Sequence, residues 1–521
     1  MIAALNHFMR LSRAGFVLAR EGVFALAEPA ALPPGPRLAV RLARLIERRG
    51  AGSDSARLAA ALTRLGPPYV KLGQFMATRP DVVGAKIAKG LESLQDRMAP
   101  FPQAEAEAAI KDALGKPVSE LFVKLGPPVA AASIAQVHRA EISGPDGMQE
   151  VAVKVLRPDI DQQFQRDLDS FFYAARLGER HSAEGRRLRL VTTVETLARS
   201  VAIETDLRLE AAAFSELAEN AKDDRDFRVP KVNWERTARR VLTTEWVLGI
   251  PLNDQAKLEA AGFDFVRLGR VLIQSFLRQA IRDGFFHADL HPGNLFVDSE
   301  GRLVAVDCGI MGRLNLKERR FLAEILYGFI TKNWYRTAEV HFEAGYVPPH
   351  HSIEDFAQAI RAIGEPIHDR PASEISMAKL LTLLFEVTSL FDMRTRPELL
   401  LLQKTMVVVE GVARSLDPKL DMWATAEPVV REWIERHLGP VGRIEDAATE
   451  LGGLGKLLGN APGMLTRAAG TMERLDEQTR DGLVLAPETV EAIGRAEGKR
   501  WRWATVALWV IAGLIAYWLF F

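Results

Sequence analysis

The sequence has very little cysteine, because Cys308 is the only one among 521 residues. No disulfide can form within the chain and no zinc cluster of cysteines is available, as is typical of a reducing compartment. The sequence also lacks net charge, since 67 basic and 67 acidic residues balance, so composition gives no indication of nucleic-acid binding. The start, MIAALNHFMRLSRAG, lacks an unbroken apolar core and a cleavage site. We therefore expect no secretory signal.

Charge is also absent from residues 503–521, WATVALWVIAGLIAYWLFF, where we expect a membrane span. A span needs about 20 apolar residues. Basic residues precede this segment, at Lys499, Arg500 and Arg502, and none follows it. Charge asymmetry of this kind predicts a single C-terminal transmembrane helix, residues 501–521, with the bulk of the chain cytoplasmic. The alternative is a buried C-terminal helix. We favour the span, because a helix that is apolar on every face rarely ends a soluble chain.

Two short polar stretches stand between apolar runs, FHADLHPGN at residues 286–294 and VAVDCG at residues 304–309. Asn294 follows Asp289 by five residues, and Asp307 comes thirteen residues later. Kinase-type phosphotransferases use this spacing for a catalytic loop and a metal site. It predicts that Asp289 orients the attacking group and that Asn294 and Asp307 hold Mg²⁺ against the phosphates of ATP. Each half alone could be a turn or a helix cap, but both at this spacing favour the catalytic interpretation.

Upstream lies a strand-like region that could form a nucleotide-binding lobe. VAVKV, at residues 151–155, is a short β run that contains Lys154. In a kinase, a hairpin covers the phosphates and a strand lysine neutralises them. An exposed strand lysine is the alternative, which the Asp289 set disfavours. The small-residue turn that we predict to bind nucleotide comprises Val129, Ala130, Ala131, Ala132, Ser133, Ile134, Ala135, Gln136 and Val137.

Residues 188–222 have the pattern of one long helix that carries several acids. A buried lysine needs a carboxylate partner, because its charge is costly to desolvate. Glu204, Asp206 and Glu210 are the candidates for Lys154. We favour Glu210, because a kinase-like fold places this partner on the helix after the lysine strand.

The first hundred residues have a helical pattern. The helices of residues 1–50 carry several arginines, and they could lie on an anionic membrane surface or pack on the body of the protein. Further on, Lys71 and Gln74 lie one helical turn apart and could point at one site. The residues alone favour a solvated face for this pair.

Taken together, these motifs resemble those of the UbiB family of atypical, protein-kinase-like proteins, whose mitochondrial relatives support coenzyme Q synthesis. The resemblance runs from about residue 10 to residue 420, plus the C-terminal tail. Lys71–Gln74 resembles the family's KxGQ motif, and residues 130–133 resemble its alanine-rich loop. Glu204 and Asp206 resemble its ExD motif. This resemblance implies that the KxGQ segment folds over the active site, meets the ExD acids and regulates access.

The predicted fold class is therefore α+β: a bilobed protein-kinase-like fold with an N-terminal helical extension and a C-terminal transmembrane helix. Bacterial members often carry two C-terminal spans, whereas this chain has room for one. The predicted domains are a helical extension at 1–115, an N-lobe at 116–250, a helical C-lobe at 251–440, a tether at 441–500 and the transmembrane helix at 501–521.

The leading functional hypothesis is an atypical kinase or ATPase that uses ATP and Mg²⁺ to support ubiquinone biosynthesis at the bacterial inner membrane. His291 stands where protein kinases often carry a lysine, and no Ala-Pro-Glu sequence closes an activation segment, so peptide phosphorylation is disfavoured. The alternatives are a nucleotide-binding lipid scaffold without phosphotransfer and a small-molecule kinase. The expected partners are membrane lipids, prenylated quinone precursors and ubiquinone-biosynthesis enzymes, with no nucleic acid. A homodimer stays open.

Overall fold

The computed structural model describes a large part of the chain in several stretches, namely residues 2–23, 46–47, 54–77, 83, 87, 90–91, 98–144, 147–367, 386–388, 390–393 and 397–438. By its internal contacts the chain divides into two units, Met1–Ile434 and Glu435–Phe521. The lobes and the candidate site belong to the first unit. The predicted tether at residues 441–500 lies outside the described residues.

The described strands are β1 (Lys124–Ala131), β2 (Ala135–Gly144), β3 (Gly147–Leu156), β4 (Phe227–Arg228), β5 (Val241–Glu245), β6 (Gly249–Pro251), β7 (Phe285–His287), β8 (Leu295–Asp298), β9 (Leu303–Ala305) and β10 (Met311–Arg313). The described α-helices are α1 (Ile2–Arg20), α2 (Asp54–Leu65), α3 (Pro67–Ala77), α4 (Gln103–Leu114), α5 (Val118–Leu121), α6 (Ile160–His181), α7 (Ala183–Arg187), α8 (Leu190–Glu204), α9 (Leu207–Asn220), α10 (Gln255–Ala260), α11 (Phe265–Leu277), α12 (Leu316–Ile330), α13 (Trp334–Glu343), α14 (Ile353–Gly364), α15 (Pro397–Leu416) and α16 (Met422–Leu438).

The first lobe is built on an antiparallel sheet in the order β1-β2-β3-β5. Side chains alternate between the two faces of a strand. On β3 this alternation buries Val151, Val153 and Val155 in the core formed with α4, where Ile110 is also fully buried. Lys154 therefore points to the opposite face of the sheet, towards the second lobe.

The second lobe is mainly helical and carries the short strands β6 to β10 among its loops. Helices α11 and α15 cross closely at Gly269, where a Cβ atom would lie 3.1 Å from the carbonyl oxygen of Ala413. From α11 the chain passes through a π-helical turn, Arg278–Asp283, into β7. Strand β7 pairs with β10, so the loops that follow β7 and precede β10 lie side by side.

The N-terminal helices pack on α6 of the first lobe. Tyr69 of α3 meets Phe171 edge-to-face with 5.1 Å between ring centroids, and His7 of α1 stacks on Tyr173 at 5.5 Å. Helix α3 begins directly after Gly66, whose φ of +103° favours glycine. Prolines at 67 and 68 then suit the first turn, since the amide hydrogens there have no partner within the helix.

The single long helix predicted over residues 188–222 is wrong, because the chain turns between α8 and α9. Thr205 ends the first helix, and Asp206 is the N-cap of the second, with its carboxylate accepting from the backbone N–H of Arg208 at 3.2 Å. Aspartate favours helix starts because its side chain bonds the unpaired amide hydrogens there. The helical periodicity continues across the break, so the sequence pattern did not reveal the turn.

The two-lobed, kinase-like α+β part of the predicted fold class is confirmed, whereas no described helix bears out its transmembrane part. Within the described stretches, no helix is both long enough and apolar enough to cross a membrane. Long helices such as α6 and α15 carry charged side chains along their length, which are costly in a bilayer. The described residues thus contain no helix that matches the predicted single-span inner-membrane location. The predicted span itself, residues 501–521, lies outside the described residues.

Candidate active site

Lys154 is the centre of a charged cluster that joins the two lobes. Its Nζ atom lies 2.7 and 2.9 Å from the two carboxylate oxygens of Glu210 on α9, and 3.1 Å from Oδ2 of Asp307. Glu210 is buried, and its side chain is 8% exposed. A buried lysine is stabilised when carboxylates surround it, which explains why the β3 lysine, the α9 acid and the loop after β9 converge here.

The cluster shifts the pKa values of its members. Burial lowers the pKa of Lys154, but the carboxylates of Asp307 and Glu210 outweigh burial and raise it above its ordinary value. Burial raises the pKa of Asp307, yet the Lys154 ammonium and the N–H of Gly309 lower it overall. Lys154 and Asp307 therefore stay charged at neutral pH. Burial raises the pKa of Glu210.

Asp289 and Asn294 lie on one loop after β7. The side-chain amide of Asn294 donates to the carbonyl oxygen of Asp289 at 3.2 Å, and it lies 3.5 Å from the Asp289 carboxylate. The Nδ1 atom of His291 accepts from the N–H of Gly293 at 3.0 Å, which closes the turn between them. The carboxylate of Asp289 is 44% exposed and is thus open to a ligand.

His287 links this loop to Asp307. Its Nδ1 atom accepts from the N–H of Asp289 at 3.0 Å, and its Nε2 atom donates to the carbonyl oxygen of Asp307. These partners fix the neutral ring with its proton on Nε2. Burial lowers the pKa of His287, which favours the same neutral form. His287 therefore holds Asp289 and Asp307 at a fixed spacing.

Arg157 holds the alanine-rich turn between β1 and β2 in place through hydrogen bonds to backbone oxygens. The guanidinium of Arg157 donates to the carbonyl oxygens of Ala132 and Ala99 at 2.9 and 2.8 Å, and its backbone N–H donates to Ile134 at 2.8 Å. It also lies over the ring of Phe101, 5.5 Å from the centroid. These bonds restrain the predicted nucleotide loop and join it to residues 98–101.

The predicted loop residues differ in exposure. Val129 and Ala130 near the end of β1 are exposed, whereas residues 133–136 are buried and 131, 132 and 137 are intermediate. The side chain of Gln136 accepts from the N–H of Phe101 at 2.9 Å and lies 2.9 Å from the ring of His138. Gln136 therefore supports the loop from behind rather than facing the cleft.

The predicted regulatory residues form a second, separate cluster. Lys71 on α3 forms an ion pair with Glu204 at the end of α8. Gln74 lies half-buried on the same helix. Asp206 instead binds Arg208, with 2.6 Å between the carboxylate and the guanidinium. The structure thus brings Lys71 together with Glu204, whereas Asp206 caps the start of α9.

Several contributing residues were missed by sequence reasoning. Arg157 stands at the end of β3, the hydroxyl of Thr405 lies 3.2 Å from the carbonyl oxygen of Ala288, and the side chain of Gln279 accepts from the N–H of His287. All three act on backbone atoms, so residue spacing holds no signal for them. Cys308 is buried, and burial raises its pKa.

The residues fit a nucleotide with a divalent metal ion. Asp289, Asn294 and Asp307 offer the oxygen ligands that Mg²⁺ prefers. One positive charge, on Lys154, contacts two carboxylates, those of Glu210 and Asp307, and a third carboxylate, that of Asp289, lies on the loop that His287 joins to Asp307. The cluster therefore has negative charge in excess, which a metal ion complements.

Comparisons with known proteins give consistent matches. Residues 93–341 match the ABC1 atypical kinase-like domain, and residues 360–421 match the UbiB helical domain. The chain is 39% identical over 434 residues to a probable protein kinase UbiB from Marinobacter nauticus, covering 82% of this chain and 76% of the relative. It is 41% identical over 454 residues to one from Xanthomonas euvesicatoria, covering 84% and 80%.

A solved structure is also similar to this chain. The complex of Rv3197 with erythromycin from Mycobacterium tuberculosis is 24% identical, with a TM-score of 0.48, and the match covers 69% of this chain and 90% of that one.

Proposed function

This chain belongs to the UbiB family of ABC1 atypical kinase-like proteins, and from that membership we propose that it is an ATP-dependent phosphotransferase or ATPase that supports ubiquinone biosynthesis. The observation that carries the proposal is the contact of Lys154 with both Glu210 and Asp307, beside the Asp289–Asn294 loop. Kinase-type sites neutralise and position a triphosphate with these groups.

In this mechanism each residue has a distinct task. Lys154, held by Glu210, neutralises the α- and β-phosphates, and the stiff alanine turn covers them with backbone. Asn294 and Asp307 would hold Mg²⁺, which would supply charge neutralisation to the phosphates. Asp289 positions the attacking oxygen and accepts its proton. The Asp289 carboxylate is partly exposed, so the molecule that receives the phosphoryl group can reach it.

We propose prenylated phenolic quinone precursors as the ligands that this activity serves. Two features support a non-peptide acceptor. His291 closes a turn with Gly293 where protein kinases often carry a lysine, and no Ala-Pro-Glu follows Asp307 closely enough in the sequence to close an activation segment, since the one after it lies at residues 486–488. The relatives are named probable protein kinases, so peptide substrates should be tested alongside the lipid.

The test is phosphate release from Mg·ATP by the full chain, with and without a phenol-headed prenyl lipid in detergent micelles. We expect turnover that the lipid increases and that Asp289→Asn or Asp307→Asn abolishes. Asp223→Asn, an exposed position on the turn after α9, is the matched control and should leave turnover unchanged.

A second readout is growth of a ubiquinone-deficient strain. The wild-type gene should restore ubiquinone and Asp307→Asn should not. Tight nucleotide binding without turnover under any condition would contradict phosphotransfer and would favour a nucleotide-binding scaffold. Normal ubiquinone in the Asp307→Asn strain would contradict the role of the cleft.

A further inference from the structure

His350, His351 and Asp392 form a cluster outside the nucleotide cleft. The Nε2 atoms of His350 and His351 lie 3.8 and 3.5 Å from the same carboxylate oxygen, Oδ2 of Asp392. One ligand atom from each residue lies within 4.8 Å of the others. In a tetrahedral site with metal–ligand bonds of about 2.1 Å, the ligand atoms are about 3.4 Å apart. The two histidine–carboxylate separations are close to this value, so one ion could contact all three.

The backbone at both ends is shaped to present these side chains. The N–H of His351 bonds the carbonyl oxygen of Pro348 at 3.3 Å, which forms a turn that places both histidines side by side, with 4.2 Å between ring centroids. Asp392 follows a short helical stretch and has a φ of +47°. Left-handed backbone is uncommon for a residue with a side chain, although aspartate tolerates it better than most. The strained conformation turns its carboxylate towards the histidines.

Apolar packing fixes the more buried ligand. The ring of His351 lies 5.2 Å from that of Phe391, which in turn packs at 4.9 Å on the fully buried Phe356 of α14. Ligands that are held by a packed core lose little freedom when they bind, which favours a metal site. His350 and Asp392 are 66% and 70% exposed, so the ion has a path from solvent and room for water ligands.

Ordinary surface ion pairing explains the cluster poorly. Among the described residues, the Nε2 atom of His351 is buried and has no hydrogen-bond partner, and its closest charged group is the carboxylate at 3.5 Å. Two protonated imidazoles beside one carboxylate would repel each other, and exposed ion pairs contribute little stability. A metal ion instead uses both neutral rings and the carboxylate together.

We infer that His350, His351 and Asp392 bind a divalent transition-metal ion of the Zn²⁺ class. Two imidazole nitrogens and one carboxylate suit Zn²⁺, Ni²⁺ or Co²⁺, whereas Mg²⁺ prefers oxygen ligands. The site is therefore chemically distinct from the proposed Mg²⁺ site. The ion would join the turn before α14 to the helical stretch that ends at Asp392, which lies within the residues matched by the UbiB helical domain.

The test uses the full chain, stripped with chelator and then titrated calorimetrically with Zn²⁺ in millimolar Mg²⁺, which occupies the oxygen-rich cleft. We expect one Zn²⁺ equivalent that His350→Gln and Asp392→Asn each weaken by at least about tenfold. Both residues are exposed, so both variants should fold. His181→Gln, an exposed histidine at the end of α6, is the matched control and should bind as the wild type does.

Co²⁺ gives an independent readout. Its visible absorption bands should appear on binding to the wild-type chain and to His181→Gln, and should be lost in Asp392→Asn. The inference is overturned if the wild-type chain binds no Zn²⁺ in the presence of Mg²⁺. It is equally overturned if His350→Gln and Asp392→Asn bind Zn²⁺ with wild-type affinity.

Discussion

Two lysine–glutamate pairs lie on either side of the turn between α8 and α9, and the charged groups around them differ. Lys71 on α3 binds Glu204 at the end of α8, and Lys154 on β3 binds Glu210 on the first turns of α9. Both pairs are largely buried. Lys154 also contacts a second carboxylate, that of Asp307.

This difference separates a closed contact from an open site. Lys71 and Glu204 carry one charge of each sign and form an ion pair. At Lys154 the carboxylates outnumber the cation, and Asp289 adds another negative charge nearby. A metal ion would balance the charge of the cleft. We propose that the Lys154 pair binds nucleotide and that the Lys71 pair controls access.

The largest effect should follow from removing the cation of the cleft. Lys154→Met leaves Glu210 and Asp307 facing each other without a partner, so we expect the free energy of unfolding to fall by about 3–5 kcal/mol and nucleotide binding to be lost. Urea denaturation and ATP calorimetry measure these changes.

Lys222→Met is the control for that experiment, because Lys222 pairs with Glu219 where both side chains are well exposed. It should leave both measurements unchanged. Equal stability losses in the two variants would show that the Lys154 cluster is no more important to the fold than a surface pair.

Arg157 should have the next largest effect, because it restrains the cleft from the N-terminal side. Arg157→Gln removes charged hydrogen bonds to Ala132 and Ala99, which are worth about 1–3 kcal/mol of stability. We also expect the KM for ATP to rise more than kcat falls, because the loop covers ground-state phosphates.

Arg176→Gln is the matched control, since Arg176 also donates to a carbonyl oxygen but lies on the exposed surface of α6. Steady-state kinetics at varied ATP compares the two variants. A fall in kcat at constant KM in Arg157→Gln would argue against a role in holding the nucleotide.

Acidification should act on the cleft through His287. Burial lowers the pKa of His287 below 6.5, so below that pH the unfolded chain takes up a proton that the folded chain refuses. Stability is therefore complete above pH 6.5 and declines as pH falls, by up to about 1.4 kcal/mol per pH unit for each such histidine. Denaturation across pH 7 to 5 measures the slope.

His341 allows this effect to be separated from function, because burial lowers its pKa as well, far from the charged cluster. His287→Gln and His341→Gln should each flatten the slope, yet only His287→Gln should reduce ATP turnover. A full loss of turnover in both variants would indicate general damage to the fold.

The smallest effect on stability should come from the Lys71 pair. In a double-mutant cycle with Lys71→Ala and Glu204→Ala we expect a coupling energy of about 0.5–1 kcal/mol. Either variant should raise basal ATP turnover severalfold, because the contact closes the site. Unchanged or lower turnover would contradict the regulatory role, and zero coupling would contradict the pair itself.

Residue spacing in the sequence predicted much of this arrangement. Lys154, Asp289 and Asp307 could be recognised because a phosphotransfer site needs fixed residue types on elements of fixed length. The alternation on β3 also predicts that Lys154 faces away from the valines. These features depend on local pattern and on chemistry, which a sequence displays directly.

Contacts made to backbone atoms could not be recognised in the same way. Arg157 binds carbonyl oxygens of Ala132 and Ala99, and any residue type supplies a carbonyl. The break at Asp206 was hidden because α8 and α9 each keep a helical period up to the cap. The predicted C-terminal span, residues 501–521, lies outside the described residues, and no described helix is apolar enough to cross a membrane.

The single thiol of the chain has a practical consequence for spectroscopy. Cys308 is 1% exposed, and burial raises its pKa, so maleimide reagents, which need an accessible thiolate, should leave it unlabelled. Cysteines introduced at exposed positions, such as Thr63→Cys on α2 and Leu209→Cys on α9, would then be the only labelled sites. A dye pair at these positions would report in real time how the extension moves against α9 when nucleotide is added.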